Sequence, residues 1–259
     1  MTPPEPERWC VSLENFLSLQ EIEKLKEAEK LHPSPTLYLF RERMKQNYTK
    51  LHSLYPDTEI FYAVKACPHM EILKILIECG SNFDVASVFE LDRILSLGCT
   101  PDRISYGNTI KKARDIAYAF AKWVRMFATD SDEDVQKLAE NAPWARVYFR
   151  ILTPSYAADW PLSKKFWSEK HVAIRLAEKA RDLGLEPYGV SFHVGSQQKA
   201  VEAWDAALDG AKTVFDKLLD LGIELKMVNL GWWLPTPYIG DIPSEEEYKE
   251  SIQTSIKRY

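Results

Sequence analysis

A lysine closes the apolar run Phe61-Tyr62-Ala63-Val64-Lys65-Ala66, and Cys67-Pro68 follows at once. Burial disfavours the ammonium form of lysine, so a lysine held at the end of a strand in a low-dielectric site supplies a neutral amine. Such an amine can hold a carbonyl compound as a Schiff base. Lys65 is therefore the first candidate for a chemical centre; a lysine that caps a strand and reaches solvent is the competing reading. His193 lies in Val190-Ser191-Phe192-His193-Val194-Gly195-Ser196. The backbone N–H groups and the hydroxyl just after it can cradle a phosphate, while a hydrogen-bonded core histidine is the plainer alternative. Arg150, flanked by apolar residues in Tyr148-Phe149-Arg150-Ile151, is costly to bury unless it meets a carboxylate or a ligand anion.

These residues need elements to position them. From about Thr58 onward, short β-branched or aromatic runs alternate with longer amphipathic stretches. The runs predict strands over Ile60–Ala66, Phe83–Ser87, Ile104–Asn108, Met126–Asp130, Arg146–Leu152, Gly189–Val194 and Met227–Gly231. Between them, Met70–Cys79, Ser131–Asn141, Glu169–Leu183 and Ala200–Leu221 carry helical periodicity, and Gly184 and Gly222 are placed to end the last two. Seven strand–helix units imply a parallel sheet, and the lack of a G-x-G-x-x-G fingerprint favours a (β/α)8-type barrel over an open doubly wound sheet. The eighth strand is either supplied by the N-terminal region or missing from the domain. Residues 1–57 form a separate N-terminal part, with helices over Ser18–Leu31 and Arg41–Leu54 and a strand-like Thr36–Phe40; residues 58–259 form the barrel domain, closing in a helix over Pro243–Tyr259.

In parallel α/β barrels, side chains gather for chemistry at the carboxyl ends of the strands. Those ends carry Lys65, Asp84 with Ser87 and Glu90 beyond it, Asn108, Asp130, Arg150, His193 with Ser196, and Asn229 with Gly231. The mixture suits a polar, charged small molecule.

Composition narrows the field. With 259 residues, 46% hydrophobic and 27% charged, the chain reads as an ordinary globular protein of one large or two small domains. A net charge of −5 gives no reason to expect nucleic acid or an anionic membrane as a partner. No apolar run is long enough to span a bilayer, and the acidic, proline-rich start is unlike an export signal, so the expected location is cytoplasmic. The four cysteines form no C-x-x-C pair, and the five histidines show no ligand spacing, so no metal is expected.

Taken together, the motifs resemble the ornithine/diaminopimelate/arginine decarboxylases, the alanine-racemase-like class of pyridoxal-phosphate (PLP) enzymes, and among them most the bacterial ornithine decarboxylases. Phe61–Ala66 resembles the cofactor-lysine strand. Phe83-Asp84-Val85-Ala86-Ser87 with Glu90-Leu91 resembles the second-strand motif, and Ile104-Ser105-Tyr106-Gly107-Asn108 with Ile110-Lys111 the third. Ser191–Gln197 is similar to the segment that stacks on the pyridine ring and binds phosphate, and the likeness runs from about Pro35 to the end of the chain. The resemblance implies that Lys65 holds PLP covalently and that His193 stacks on its ring. It places Asp84 and Arg150 in the polar shell, Ser196 and Gly231 at the phosphate, and Glu90 and Ala63 nearby. It further implies decarboxylation of a basic amino acid, most readily L-ornithine to putrescine and CO2, by a homodimer.

Two departures qualify that expectation. The family's glycine run after the seventh strand is replaced here by Gly231-Trp232-Trp233, and Trp123, Trp144 and Trp167 also stand at glycine-type positions. Indoles cannot follow a glycine-only backbone and would fill phosphate space, so the five together read as deliberate exchanges in an engineered variant. The family's eighth strand and C-terminal β-domain are also expected to be absent, which would leave the chain impaired. The rival readings are a non-catalytic, truncated or redesigned barrel that binds PLP weakly or takes a small aromatic ligand, and an interaction-only relative.

Overall fold

The computed structural model describes residues 12–32, 35–153, 158–160, 168–231, 234–236 and 242–258. Two compact units, 1–44 and 45–259, divide the chain. Among the described residues, the first contains a 3-10 turn, Leu13–Asn15, and α1, Leu19–Glu29. Ser18 and Glu21 close a reciprocal capping box at the start of α1, with Ser18 N donating to Glu21 Oε2 at 2.8 Å and Glu21 N to Ser18 Oγ at 3.3 Å. The segment 36–40, expected as a strand, is not one: it joins no ladder among the described residues, and Leu37 and Leu39 are 83% and 51% exposed. The helix α2, Arg41–Leu54, runs from one unit into the other.

The second unit alternates strand and helix. In chain order it contains β1 (Phe61–Ala63), α3 (Met70–Glu78), β2 (Asn82–Val85), α4 (Val88–Ser96), β3 (Ile104–Tyr106), α5 (Ala113–Ala121), β4 (Met126–Thr129), α6 (Asp132–Asn141) and β5 (Arg146–Arg150). Then follow β6 (Ala158–Trp160), α7 (Lys170–Asp182), β7 (Glu186–Ser191), β8 (Ser196–Gln198), α8 (Ala203–Asp220), β9 (Met227–Asn229) and α9 (Glu245–Arg258). Seven strands form one parallel sheet in the order β1-β2-β3-β4-β5-β7-β9, while β6 and β8 pair antiparallel as a separate ribbon. This is the seven-stranded parallel half-barrel that the alternation predicts. Among the described residues no eighth strand joins it from the N-terminal region, so β1 and β9 are its edges.

Period-2 alternation sorts the side chains. Phe83 and Val85 of β2, Phe127 of β4, Val147 and Phe149 of β5 and Val190 of β7 are fully buried, in one core with Leu91, Ile94, Leu138 and Leu176 from the helices. The interleaved positions Asp84, Ser105, Tyr148, Arg150 and Ser191 occupy the opposite face, where the polar groups collect. The register puts Ala63 beside Asp84, Asp84 beside Ser105, and Arg150 beside Ser191, which in turn lies beside Asn229.

Five helices end in one way. After α3, α4, α5, α7 and α8 the chain reverses with a six-to-one backbone bond, such as Ser81 N to Leu76 O, Val124 N to Ala119 O and Ile223 N to Leu218 O. The residue that takes positive φ in this turn is glycine in four of them, Gly80, Gly98, Gly184 and Gly222, and tryptophan in the fifth, Trp123 at φ +69°. Trp144 after α6 also has positive φ, +56°. Trp123 and Trp144 are 68% and 58% exposed; both lie over the Arg125 guanidinium at 4.7 Å, and Trp144 also meets Phe120 of α5 edge to face at 4.8 Å. Trp167, Trp232 and Trp233 lie outside the described residues.

At the other end, α9 starts on the capping pair Ser244 and Glu247 and packs on α8, with Trp204 and Tyr248 edge to face at 5.4 Å. The Tyr248 hydroxyl donates to Gln198 O at 2.7 Å, which ties α9 to β8.

Candidate active site

The strands stop short of the residues that carry chemistry, and that sets the site. β1 ends at Ala63 and turns into a 3-10 turn, Val64–Ala66, that buries Val64 and leaves Lys65 exposed. The buried lysine expected from the apolar run is thereby corrected: the turn swings the amine out of the strand while its neighbour Val64 takes the core position. β2 ends at Val85, and Ser87 leaves the strand to cap α4, where its Oγ accepts from Glu90 N at 3.3 Å. Glu90 in turn accepts from Ala86 N at 2.6 Å, so its carboxylate is engaged at the helix start. β7 ends at Ser191, two residues before His193.

Electrostatics links five of the expected residues. Asp84 is pushed up to about 6, chiefly by burial; the positive charges of Lys65 and Arg150 pull against that, and Glu90 adds to it. Its Oδ1 is buried and has no hydrogen-bond partner among the described residues. His193 is pulled down to about 4 by burial, with the charges of Arg150 and Lys65 acting in the same direction. His193 is therefore neutral near pH 7. Its Nδ1 accepts from Gly195 N at 2.9 Å, which assigns the ring proton to Nε2. Burial also raises Asp130, opposed in part by Lys111 and Arg150. Arg150 thus acts on Asp84, Asp130 and His193, which come from three different strand ends.

Gly231 has φ +74°, and a Cβ there would overlap Phe192 O, so only glycine fits where the loop after β9 crosses the loop after β7. Its N–H donates to Asn229 Oδ1 at 2.9 Å. The Gly195 and Gly231 N–H groups, both at positions expected to serve a phosphate, each donate to a local side chain, His193 Nδ1 and Asn229 Oδ1. Ser196 is exposed at the start of β8, three residues beyond His193 and opposite Trp160 in register. Ala63 sits beside Asp84. Asn108 holds its own loop, with Nδ2 donating to Ala86 O and Oδ1 accepting from Ile110 N.

Several supporting residues escaped the sequence reading. Thr153 donates to His193 O at 3.1 Å, and Ser168 donates to Arg150 O at 2.9 Å; both hold the backbone of a site residue. Gly107 lies so close to Asp84 that a Cβ would overlap the carboxylate. Lys111 is fully buried and reaches Asp134 at 2.6 Å and Ala128 O at 2.6 Å, pinning the loop after β3 to β4 and α6. With Lys112 after it and an exposed Ile110 before it, the sequence carries no signal for its burial or for its partner, which lies 23 residues away.

The parallel half-barrel gathers a lysine, a buried carboxylate and a neutral histidine at its strand ends, where parallel α/β barrels place their sites. The chain is a member of the pyridoxal-dependent decarboxylases: residues 41–259 match the family described as pyridoxal-dependent decarboxylase, pyridoxal binding domain. It is 34% identical over 226 residues to lysine/ornithine decarboxylase of Selenomonas ruminantium, covering 87% of this chain and 57% of that protein. It is 39% identical over 178 residues to ornithine decarboxylase of Saccharomyces cerevisiae, covering 68% of this chain and 38% of that one. The crystal structure of SrLDC in complex with PLP and cadaverine superposes with a TM-score of 0.83 at 32% identity, over 93% of this chain and 61% of that chain. The chain thus spans about 57% of the length of the first of these relatives.

Proposed function

We propose that this chain forms the pyridoxal-phosphate side of a decarboxylase acting on a basic amino acid, with L-ornithine the substrate and putrescine and CO2 the products, and with a homodimer as the working form. The observation that carries the reading is that the charges of Lys65 and Arg150 both act on Asp84 and on His193, the four coming from the ends of β1, β2, β5 and β7. Two features support the fit to the cofactor. The buried Asp84 Oδ1 lacks a hydrogen-bond partner among the described residues, and the backbone at Gly231 runs too close to Phe192 O for a side chain at that position.

When bound, pyridoxal phosphate supplies an electron-accepting ring for the pair released as the α-carboxylate departs. The chain's own residues do the rest. Lys65, exposed just beyond β1, would hold the cofactor through its amine. Neutral His193, its Nδ1 accepting from Gly195 N, would offer a flat uncharged face to the cofactor ring. Arg150 and Asp84 would set the local charge, and the exposed hydroxyl of Ser196 would serve the phosphate. The overall reaction consumes one proton at the α-carbon as CO2 leaves.

The finer reading is a bacterial-type protein of this family in which tryptophans occupy former glycine positions. The positive φ at Trp123 and Trp144 supports the exchange. A natural genome encoding all five tryptophans would contradict it. Adding PLP to the chain tests the main reading: a visible absorbance band of the bound cofactor, lost in Lys65→Ala, is expected. No band at millimolar PLP would contradict it. Release of labelled CO2 from carboxyl-labelled ornithine, compared with lysine and arginine, then reads the substrate.

A further inference from the structure

Behind the site residues lies a buried pair of hydroxyls to which the proposed chemistry gives no role. Ser105 Oγ and Tyr148 Oη are 3.0 Å apart, and the residues are 4% and 2% exposed. They come from β3 and β5, so their bond bridges across β4 on the polar face of the sheet. Both positions are next to the site. Ser105 is the register partner of Asp84, and Tyr148 shares a strand face with Arg150, two residues on. Two hydroxyls carry two hydrogens, and their mutual bond uses one. Nearby, Asp84 Oδ1 is a buried acceptor with no hydrogen-bond partner among the described residues; the Gly107 N–H beside the carboxylate favours its charged form but donates to Val85 O, and a buried acceptor left without a bond is costly.

We infer that the Ser105–Tyr148 pair is a positioning device for Asp84, supplying through one bridging water the hydrogen bond that Asp84 Oδ1 lacks and so favouring its carboxylate form. The inference deepens the proposed cofactor site and rests on that reading for its consequence: a charged Asp84 balances Lys65 and Arg150 beside the cofactor. Lys65, Arg150 and Glu90 are the charged groups that act on Asp84 from the neighbouring elements, and Tyr148 is the neutral one. Tyr148 stays neutral because burial, and then the Asp84 charge, push its phenol up. It is therefore a donor at every working pH and never a competing anion. A leucine or valine at 148 would fill the same strand position without offering a hydrogen.

Carbon-13 NMR of the cofactor-free chain labelled at aspartate carboxyls tests this, with the Asp84 signal assigned by its loss in Asp84→Asn. Tyr148→Phe removes one oxygen and should raise the Asp84 titration midpoint by about one pH unit, a tenfold gain in proton affinity. Ser105→Ala should raise it similarly. The double variant should shift it no further than the larger single change, since the two hydroxyls act as one unit. A midpoint unmoved or lowered in both variants would overturn the inference, as would a double shift equal to the sum. Ser105→Ala and Tyr148→Phe serve as independent arms should either fold poorly. The titration needs no pyridoxal phosphate, so a failure to bind cofactor would count against the proposed function and leave this result standing.

Discussion

At the scale of single residues, the site is a balance between two groups that burial moves in opposite directions. Asp84 binds its proton more tightly folded (about 6) than its ordinary value of 3.8, so its contribution to stability grows as pH falls through that window. His193 binds its proton less tightly folded (about 4 against 6.5), so its contribution is present above about 6.5 and is lost as pH falls toward 4. The two slopes oppose, each worth on the order of 1–3 kcal/mol across the window. Asp84→Asn should therefore expose the His193 slope, with the urea midpoint dropping between pH 6.5 and 4. His193→Gln should expose the reverse, a midpoint that climbs as pH is lowered. Parallel pH profiles for the parent and both variants would show that these two groups do not titrate as described. The chemistry-bearing types, Lys65, Asp84, Arg150 and His193, were legible from their places beside apolar runs. The exposure of Lys65 was not, because alternation cannot announce that a strand turns into a 3-10 turn after three residues. The Ser105–Tyr148 pair was hidden for a related reason: its members are 43 residues apart, and each alone reads as an ordinary strand residue.

At the scale of elements, the sheet and its helices followed from periodicity, but strand ends did not. Five of the seven expected strands run on past their structural ends into the residues that carry function: Lys65, Ser87, Asn108, His193 and Gly231 all lie beyond the ladder. Apolar content persists there because those segments still pack, while their backbone bonds go to caps and loops. The helix ends are more informative, since four of five equivalent turns use glycine and the fifth uses Trp123. A left-handed backbone costs a residue with a side chain roughly 1–2 kcal/mol. An exposed cation–π contact such as that with Arg125 returns about 0.5–1 kcal/mol. Trp123→Gly should accordingly stabilise the chain by up to about 1 kcal/mol, read as a higher thermal or urea midpoint. A loss of stability would mean that the stack on Arg125 outweighs the backbone.

At the scale of the whole molecule, the seven-stranded sheet presents β1 and β9 as edges among the described residues. Unpaired edges template association with another chain, and the proposed homodimer adds a second reason for self-association. Light scattering should find dimers or larger species at micromolar concentration, and a monodisperse monomer would contradict this. No helix among the described residues is long and apolar enough to cross a membrane. What unites the scales is the claim that Lys65 is the residue to which pyridoxal phosphate attaches. Borohydride reduction of the chain with PLP, followed by peptide mass spectrometry, tests it. A pyridoxyl group on Lys65, absent from that peptide in Lys65→Ala, is the expected result; labelling spread over exposed lysines with no preference for Lys65 would contradict it.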